Sequence, residues 1–160
     1  ATITDTRKTL PGLRALQKYA VTVGGGRNHR YNLSDGAMLK DNHIDAAGSM
    51  TKAVELLRGR YHPCPPIEVE CRNLDEISEA VACRVDRIML DNMTPDMLPE
   101  ALEMIPSFIE TEISGGVSLD TIRAYATVST VRKPDFISVG RITHSAVTAD
   151  LSMRIAKESL

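Results

Sequence analysis

The stretch "IEVECRNLDEISEAVACRVDRIMLD", residues 67–91, decides the fold class. Its two ends, IEVE (67–70) and RIMLD (87–91), are short and apolar in the manner of buried strands. Between them NLDEISEAVACR carries a helical period, with Asn73 placed as N-cap and Leu74, Ile77 and Val81 on one face. A strand, an amphipathic helix and a second strand in one short run form the repeating unit of a parallel α/β sheet.

The same unit recurs in both directions. Downstream, TPDMLPEALEMI offers Thr94 as N-cap and Pro95 at the first helical position, with Leu98, Ala101, Leu102 and Ile105 on one stripe. FIETEIS, SLDTIRAYATV and DFISVG then read as strand, helix and strand. Upstream, SMTKAVELLRGR (49–60) reads as a helix, TITDT and GAMLK as strands, and PGLRALQKYAV as a helix started by Pro11. The count is about six parallel strands, short of the eight of a closed barrel. Residues 1–160 are therefore expected to form one α/β domain, most of an incomplete, TIM-like barrel. The chain starts at Ala1 without Met and enters patterned sequence almost directly, so it is read as a segment of a longer protein with further strands outside it.

Bulk properties narrow the function classes. With 42% hydrophobic and 25% charged residues, a formal net charge of -2 and a pI near 6.1, the whole molecule is no electrostatic match for nucleic acid or an anionic membrane. Any anion binding must be local. No apolar run reaches the length of a membrane span, and no signal-peptide pattern opens the chain. The three cysteines, Cys64, Cys71 and Cys83, show no C-x-x-C spacing. They are read as reduced thiols of a cytoplasmic protein rather than a disulfide framework or zinc site.

The polar residues follow the strands. TITDT runs into Arg7 and Lys8, and AMLK ends in Lys40. IEVE ends in Glu70 and IMLD in Asp91. TEIS leads to Ser114, Gly115 and Gly116, and FISVG to Gly140, with Thr143 and His144 close behind. In a parallel sheet these are all C-terminal strand ends, the face where α/β folds bind ligands. The stretch RNHRYNLSDGAMLKDNHI (27–44) adds His29 and Arg30. Arg7, Lys8, His29, Arg30 and Lys40 would make one side of a pocket strongly cationic, suited to a small ligand with several negative charges. Glu70 and Asp91 have no use for an anion; they suit a hard divalent cation such as Mg²⁺, or positive charge developing during a reaction. The turns SGG and GRITH have the order along the chain that holds phosphate in barrels. Taken singly, several of these residues have a plainer reading as caps or ion pairs, for instance Lys40 with the nearby Asp41. Gly24, Gly25 and Gly26 read as a turn, His62 as a loop residue, and His43 as either a neighbour of the site or a loop histidine. No Ser-His-Asp or Cys-His arrangement presents itself, which disfavours nucleophilic acyl transfer.

In order, DTRKT-x-PG-x-R, NHR, KDNH, EVE, LDN, SGG and S-V-G-x-x-T-H-S resemble quinolinate phosphoribosyltransferase (nicotinate-nucleotide pyrophosphorylase, carboxylating). The resemblance implies an incomplete α/β barrel preceded by a further α/β domain, the latter absent here. It implies an enzyme converting quinolinate and phosphoribosyl pyrophosphate to nicotinate mononucleotide, pyrophosphate and CO₂, with Mg²⁺ as cofactor, on the de novo route to NAD. It also implies a homodimer or higher homo-oligomer. By the same resemblance Arg7, His29, Arg30 and Lys40 bind quinolinate and Lys8 lies between the two substrates. Glu70 and Asp91 serve the ribose and Mg²⁺, while Ser114, Gly115, Gly116, Gly140 and His144 form the phosphate end. Arg141 departs from the family's small residue at that position, and Ser129 to Pro134 is a longer stretch than usual, read as a surface loop. Without the preceding domain, these 160 residues are expected to bind poorly or not turn over. The rival readings are a related enzyme acting on another acidic heterocycle, and a non-catalytic phosphate-binding barrel segment; the paired Arg7 and Arg30 count against a monocarboxylate substrate. The second has no use for Glu70 and Asp91 beside the cations.

Overall fold

In a computed structural model that describes residues 1–156, the 67–91 stretch folds as β3 (Ile67–Cys71), α4 (Leu74–Ala82) and β4 (Arg87–Asp91). Asn73 caps α4, its side chain accepting the Glu76 N–H at 2.9 Å. β3 and β4 run parallel with Val69 opposite Ile88. Alternation along these strands separates two faces. Ile67, Val69, Cys71, Ile88 and Leu90 are buried in one apolar core with Ile77 and Ala80 of α4. The other parity carries Glu68, Glu70, Arg87, Met89 and Asp91. The sheet therefore has a helix-packed apolar side and a charged inner side.

The remaining elements extend this layout. β1 (Thr2–Thr4) and α1 (Arg14–Val23) open the chain, followed by β2 (Ala37–Leu39), α2 (Asp41–Ala47) and α3 (Met50–Arg60). After β4 come α5 (Leu98–Met104), β5 (Glu110–Ser114), α6 (Ile122–Ala126), β6 (Phe136–Ser138) and α7 (Arg141–His144). All six strands are parallel, in the order β1-β6-β5-β4-β3-β2. Strands β1 and β2, neighbours in sequence, are thus the two edges of the sheet. This is the order of a barrel opened between them, and the incomplete parallel α/β barrel is the observed architecture. Arg27 adds a single bridge to Thr4 at the β1 edge.

Several helix starts differ from the sequence expectation. α1 begins at Arg14 rather than Pro11 because Gly12, at φ +75°, stands outside helical space. α5 begins at Leu98, without Thr94 as N-cap or Pro95 in its first turn. Pro99 explains this: inside a helix already running from residue 95, its ring would collide with the carbonyl of Pro95. Near the start of the helix, Pro99 is tolerated. α6 begins at Ile122, after a turn in which the Thr121 N–H donates to the Ser118 carbonyl at 3.2 Å. Residues 41–47 form α2, which the strand-and-loop reading of KDNHI passed over. His43 Nδ1 there accepts the Lys40 N–H at 3.1 Å, so this exposed histidine is a helix-start group. Gly24 ends α1, consistent with the turn expected at the three glycines. The stretch 129–134 is a largely exposed loop, yet it is pinned: the Arg132 guanidinium donates to the carbonyls of Ile105, Pro106 and Ile109.

Candidate active site at the carboxyl ends of the strands

A cleft of about 550 Å³ opens where the strands end. Arg7 and Lys8 follow β1, His29 and Arg30 come from the segment before β2, and Lys40 stands between β2 and α2; all five line the cleft. Glu70 and Asp91 enter from β3 and β4. Ser114 ends β5 and Gly115 and Gly116 follow it, while Gly140, Arg141 and His144 follow β6, completing the rim. The polar residues singled out in the sequence, scattered over most of the chain, meet in this one place because parallel strands deliver all their carboxyl ends to one side. Thr143 is the exception, buried beneath with its hydroxyl donating to the Lys8 carbonyl at 2.7 Å.

Within the cleft the charges are not simply sorted into a cationic and an anionic wall. Lys40 forms an ion pair with Glu70 on the neighbouring strand rather than with Asp41. Asp91 accepts a 2.6 Å hydrogen bond from the side-chain amide of Asn92. Burial, and then the charge of Glu70, hold the Asp91 carboxyl above the ordinary carboxylate range, against the pull of Asn92, Lys40 and Lys8. Arg30 donates to the Gly36 carbonyl at 3.4 Å and touches Met38 Sδ at 3.2 Å. Burial and then the like charge of Arg7 lower its pKa, with Glu68 opposing. The Arg7 Nε–H is buried with no protein acceptor among the described residues. Two guanidiniums that repel each other, one with an unused donor, form a site that a dianion would stabilise.

Beneath the cations lies a cluster that the sequence reading did not identify. His29 Nε2 stands 3.1 Å from Glu68 and 3.2 Å from Glu112, and Glu112 also meets Arg87 at 3.2 Å. Burial disfavours a charged ring, but Glu112 and Glu68 more than offset it and push the His29 pKa up to about 9. The Arg30 N–H lies 2.7 Å from Nδ1, a contact only the neutral ring can accept. Two carboxylates outweigh one neutral hydrogen bond, so the direction is upward. In both forms Nε2 keeps its proton, which argues against a metal ion there although His29, Glu68 and Glu112 are close enough to hold one. The backbone of His29 is clamped as well. Asp5 accepts its N–H at 2.8 Å and Lys18 donates to its carbonyl at 2.9 Å. The missed residues did leave a signal: Glu68 and Glu112 have the strand parity of Glu70 and Ser114.

Glu70 and Asp91 offer hard oxygen donors on adjacent strand ends, and their mutual repulsion is what a divalent cation relieves. The donor set fits Mg²⁺. No helix among the described residues is long and apolar enough to cross a membrane, and Cys64, Cys71 and Cys83 are all free.

Fold and site together define a parallel α/β-barrel domain with a cation-rich cleft at the carboxyl ends of its strands. Residues 1–154 match the family model described as "Quinolinate phosphoribosyl transferase, C-terminal domain", and the chain belongs to that family. It is 44% identical over 153 residues to a probable nicotinate-nucleotide pyrophosphorylase [carboxylating] of Bacillus subtilis, covering 96% of this chain and 52% of the relative. The counterpart from Synechocystis is 47% identical over 156 residues, with the same coverage of each chain. The crystal structure of NadC from Streptococcus pyogenes superposes with a TM-score of 0.88 at 44% identity, over 96% of this chain and 52% of that one. A thiamine phosphate pyrophosphorylase from Pyrococcus furiosus, 16% identical at a TM-score of 0.56, shares the fold alone. The chain spans about half the length of the curated relatives it matches.

Proposed function

We propose that this domain carries the active-site cleft of an enzyme that transfers phosphoribosyl from phosphoribosyl pyrophosphate to quinolinate. Loss of CO₂ accompanies the transfer, giving nicotinate mononucleotide and pyrophosphate, a step of NAD synthesis. The observation that carries this reading is the adjacent pair Arg7 and Arg30, with a buried, unused donor on Arg7, opposite the acids Glu70 and Asp91. A dicarboxylate matches two guanidiniums better than a monocarboxylate does. The names of the relatives, nicotinate-nucleotide pyrophosphorylase [carboxylating], support it.

In this reading Arg7, His29, Arg30 and Lys40 bind the two carboxylates and align the ring nitrogen. Lys8 stands between the substrates. Glu70 and Asp91 face the ribose carbon, where positive charge builds as the pyrophosphate departs, and the backbone N–H groups around Ser114–Gly116 and Gly140, with His144, hold the phosphates. Mg²⁺, held by Glu70 and Asp91, would neutralise charge on the leaving pyrophosphate. Once the ring nitrogen is bonded to ribose and positive, the adjacent carboxylate can leave as CO₂, its bonding pair staying on the ring carbon, which then takes a proton from water. Lys40 must exchange its bond to Glu70 for one to substrate, which couples filling of the dicarboxylate end to release of Glu70. The free cysteines suit a reducing compartment such as the cytoplasm, and a homo-oligomer is the assembly this reading carries.

The test is an assay of the intact protein with quinolinate, phosphoribosyl pyrophosphate and graded Mg²⁺, scored for CO₂ and nicotinate mononucleotide together. Both products should appear in equal amounts and depend on the cation. Release of pyrophosphate without CO₂ would point to a different acceptor and end the quinolinate reading.

A further inference from the structure

His29 is held by charge from several elements at once. Asp5, just after β1, and Lys18 of α1 fix its backbone and pair with each other at 2.7 Å, both nearly inaccessible to water. Glu68 of β3 and Glu112 of β5 take its ring from the other side. Arg87 of β4 reaches Glu112 from behind, and Arg30 follows it in the chain. Glu112 is fully buried, and its Oε1 has no partner among the described residues. A buried carboxylate is costly unless its charge is used. The helix-side core does not require it, since the helix-facing parity of the same strand is filled by Thr111 and Ile113, and the ion pair of Glu112 to Arg87 leaves Oε1 free.

We propose that Glu112 and Glu68 are positioning residues: their carboxylates fix the His29 ring and keep its Nε2–H, so that Arg7, His29 and Arg30 meet a dicarboxylate in one geometry. The identity of the ligand rests on the phosphoribosyltransferase reading above; the positioning itself rests on the contacts at Nε2. Metal ligation by the same three side chains would need a bare Nε2, which the paired carboxylates oppose.

The experiment compares Glu112→Gln, Glu112→Asp and Glu68→Gln in the intact protein. Calorimetry would measure quinolinate and phosphoribosyl pyrophosphate separately, and NMR would follow the His29 ring, assigned by its absence in His29→Gln. Glu112→Gln keeps the size of the side chain and removes its charge. It should weaken quinolinate about tenfold or more, leave phosphoribosyl pyrophosphate binding unchanged, and move the ring titration down from about 9. Glu112→Asp should restore much of the titration but not the affinity, because the shorter side chain keeps the charge and loses the reach. Glu68→Gln should repeat the pattern more weakly, and it carries the test alone if Glu112→Gln does not fold. Wild-type quinolinate affinity in both Gln variants would overturn the proposal, as would loss of both ligands in parallel with the melting temperature. If the unaltered protein ignores quinolinate while the ring still titrates through Glu112, the ligand reading fails and the positioning of His29 stands.

Discussion

Gly115 turns at φ +101°, and a Cβ built on it would lie 2.3 Å from Asn92 Oδ1. The turn after β5 is therefore packed against the residue that holds Asp91. Gly115→Ala should lose about 1–3 kcal/mol to backbone strain, and it must also displace Asn92 and with it the Asp91 carboxylate. Gly116, at φ +60° with open space around its Cβ position, provides the control. Gly116→Ala should lose only about 1–2 kcal/mol. Chemical unfolding reads the stabilities, and turnover should fall further in the first variant than its stability explains. His29 gives a pH signature. Its pKa rises from 6.5 to about 9 on folding, so the folded state binds this proton more tightly than the unfolded one. The stabilisation is complete below 6.5 and is lost as pH climbs through about 9. Unfolding curves across that window should show the loss in the unaltered protein and not in His29→Gln; equal slopes would contradict the ionised pair.

At the scale of elements, the caps give the most direct test. Asn73→Ala removes the acceptor for the Glu76 N–H at the start of α4 and should destabilise by about 1 kcal/mol. A midpoint unchanged in urea would mean that water replaces the cap without loss. This element was legible because Asn73 and the apolar stripe on α4 say the same thing. α5 departs from its local signals because Thr94 and Pro95 form a good start, and a second proline four residues on overrules it by steric clash. α2 has no buried residue and so no apolar stripe to announce it. The strand ends were legible for a topological reason, since parallel pairing alone gathers Arg7, Lys40, Glu70, Asp91 and Gly140. Glu68 and Glu112 were not, because a charged residue inside a short strand looks like an exposed one until the sheet curves and encloses it. The pairing of Lys40 with Glu70 instead of Asp41 was beyond the sequence too.

Across the described residues, the candidate site and the structural loop bonds occupy opposite ends of the sheet. The carboxyl ends hold like charges beside each other, unused donors and an acid with a raised pKa. The amino ends hold satisfied structural bonds. Asp86 accepts the Ile67 N–H at 2.7 Å, Asp135 accepts the Thr111 N–H at 2.8 Å, and Arg132 ties the loop before β6 to three carbonyls around the start of β5. Single substitutions at the two ends should therefore fail in different ways. Arg132→Ala leaves those carbonyls to water alone and should lose about 1–3 kcal/mol of stability. It should leave quinolinate affinity unchanged, because no bond of Arg132 reaches the cleft. Arg30→Ala should do the reverse. It removes one of two guanidiniums that repel each other, so stability should hold or rise, while quinolinate binding falls about ten- to a hundredfold. Melting curves and calorimetry on the same two preparations decide the matter. If Arg132→Ala weakened quinolinate as much as Arg30→Ala did, the two ends would be mechanically coupled and not divided in this way.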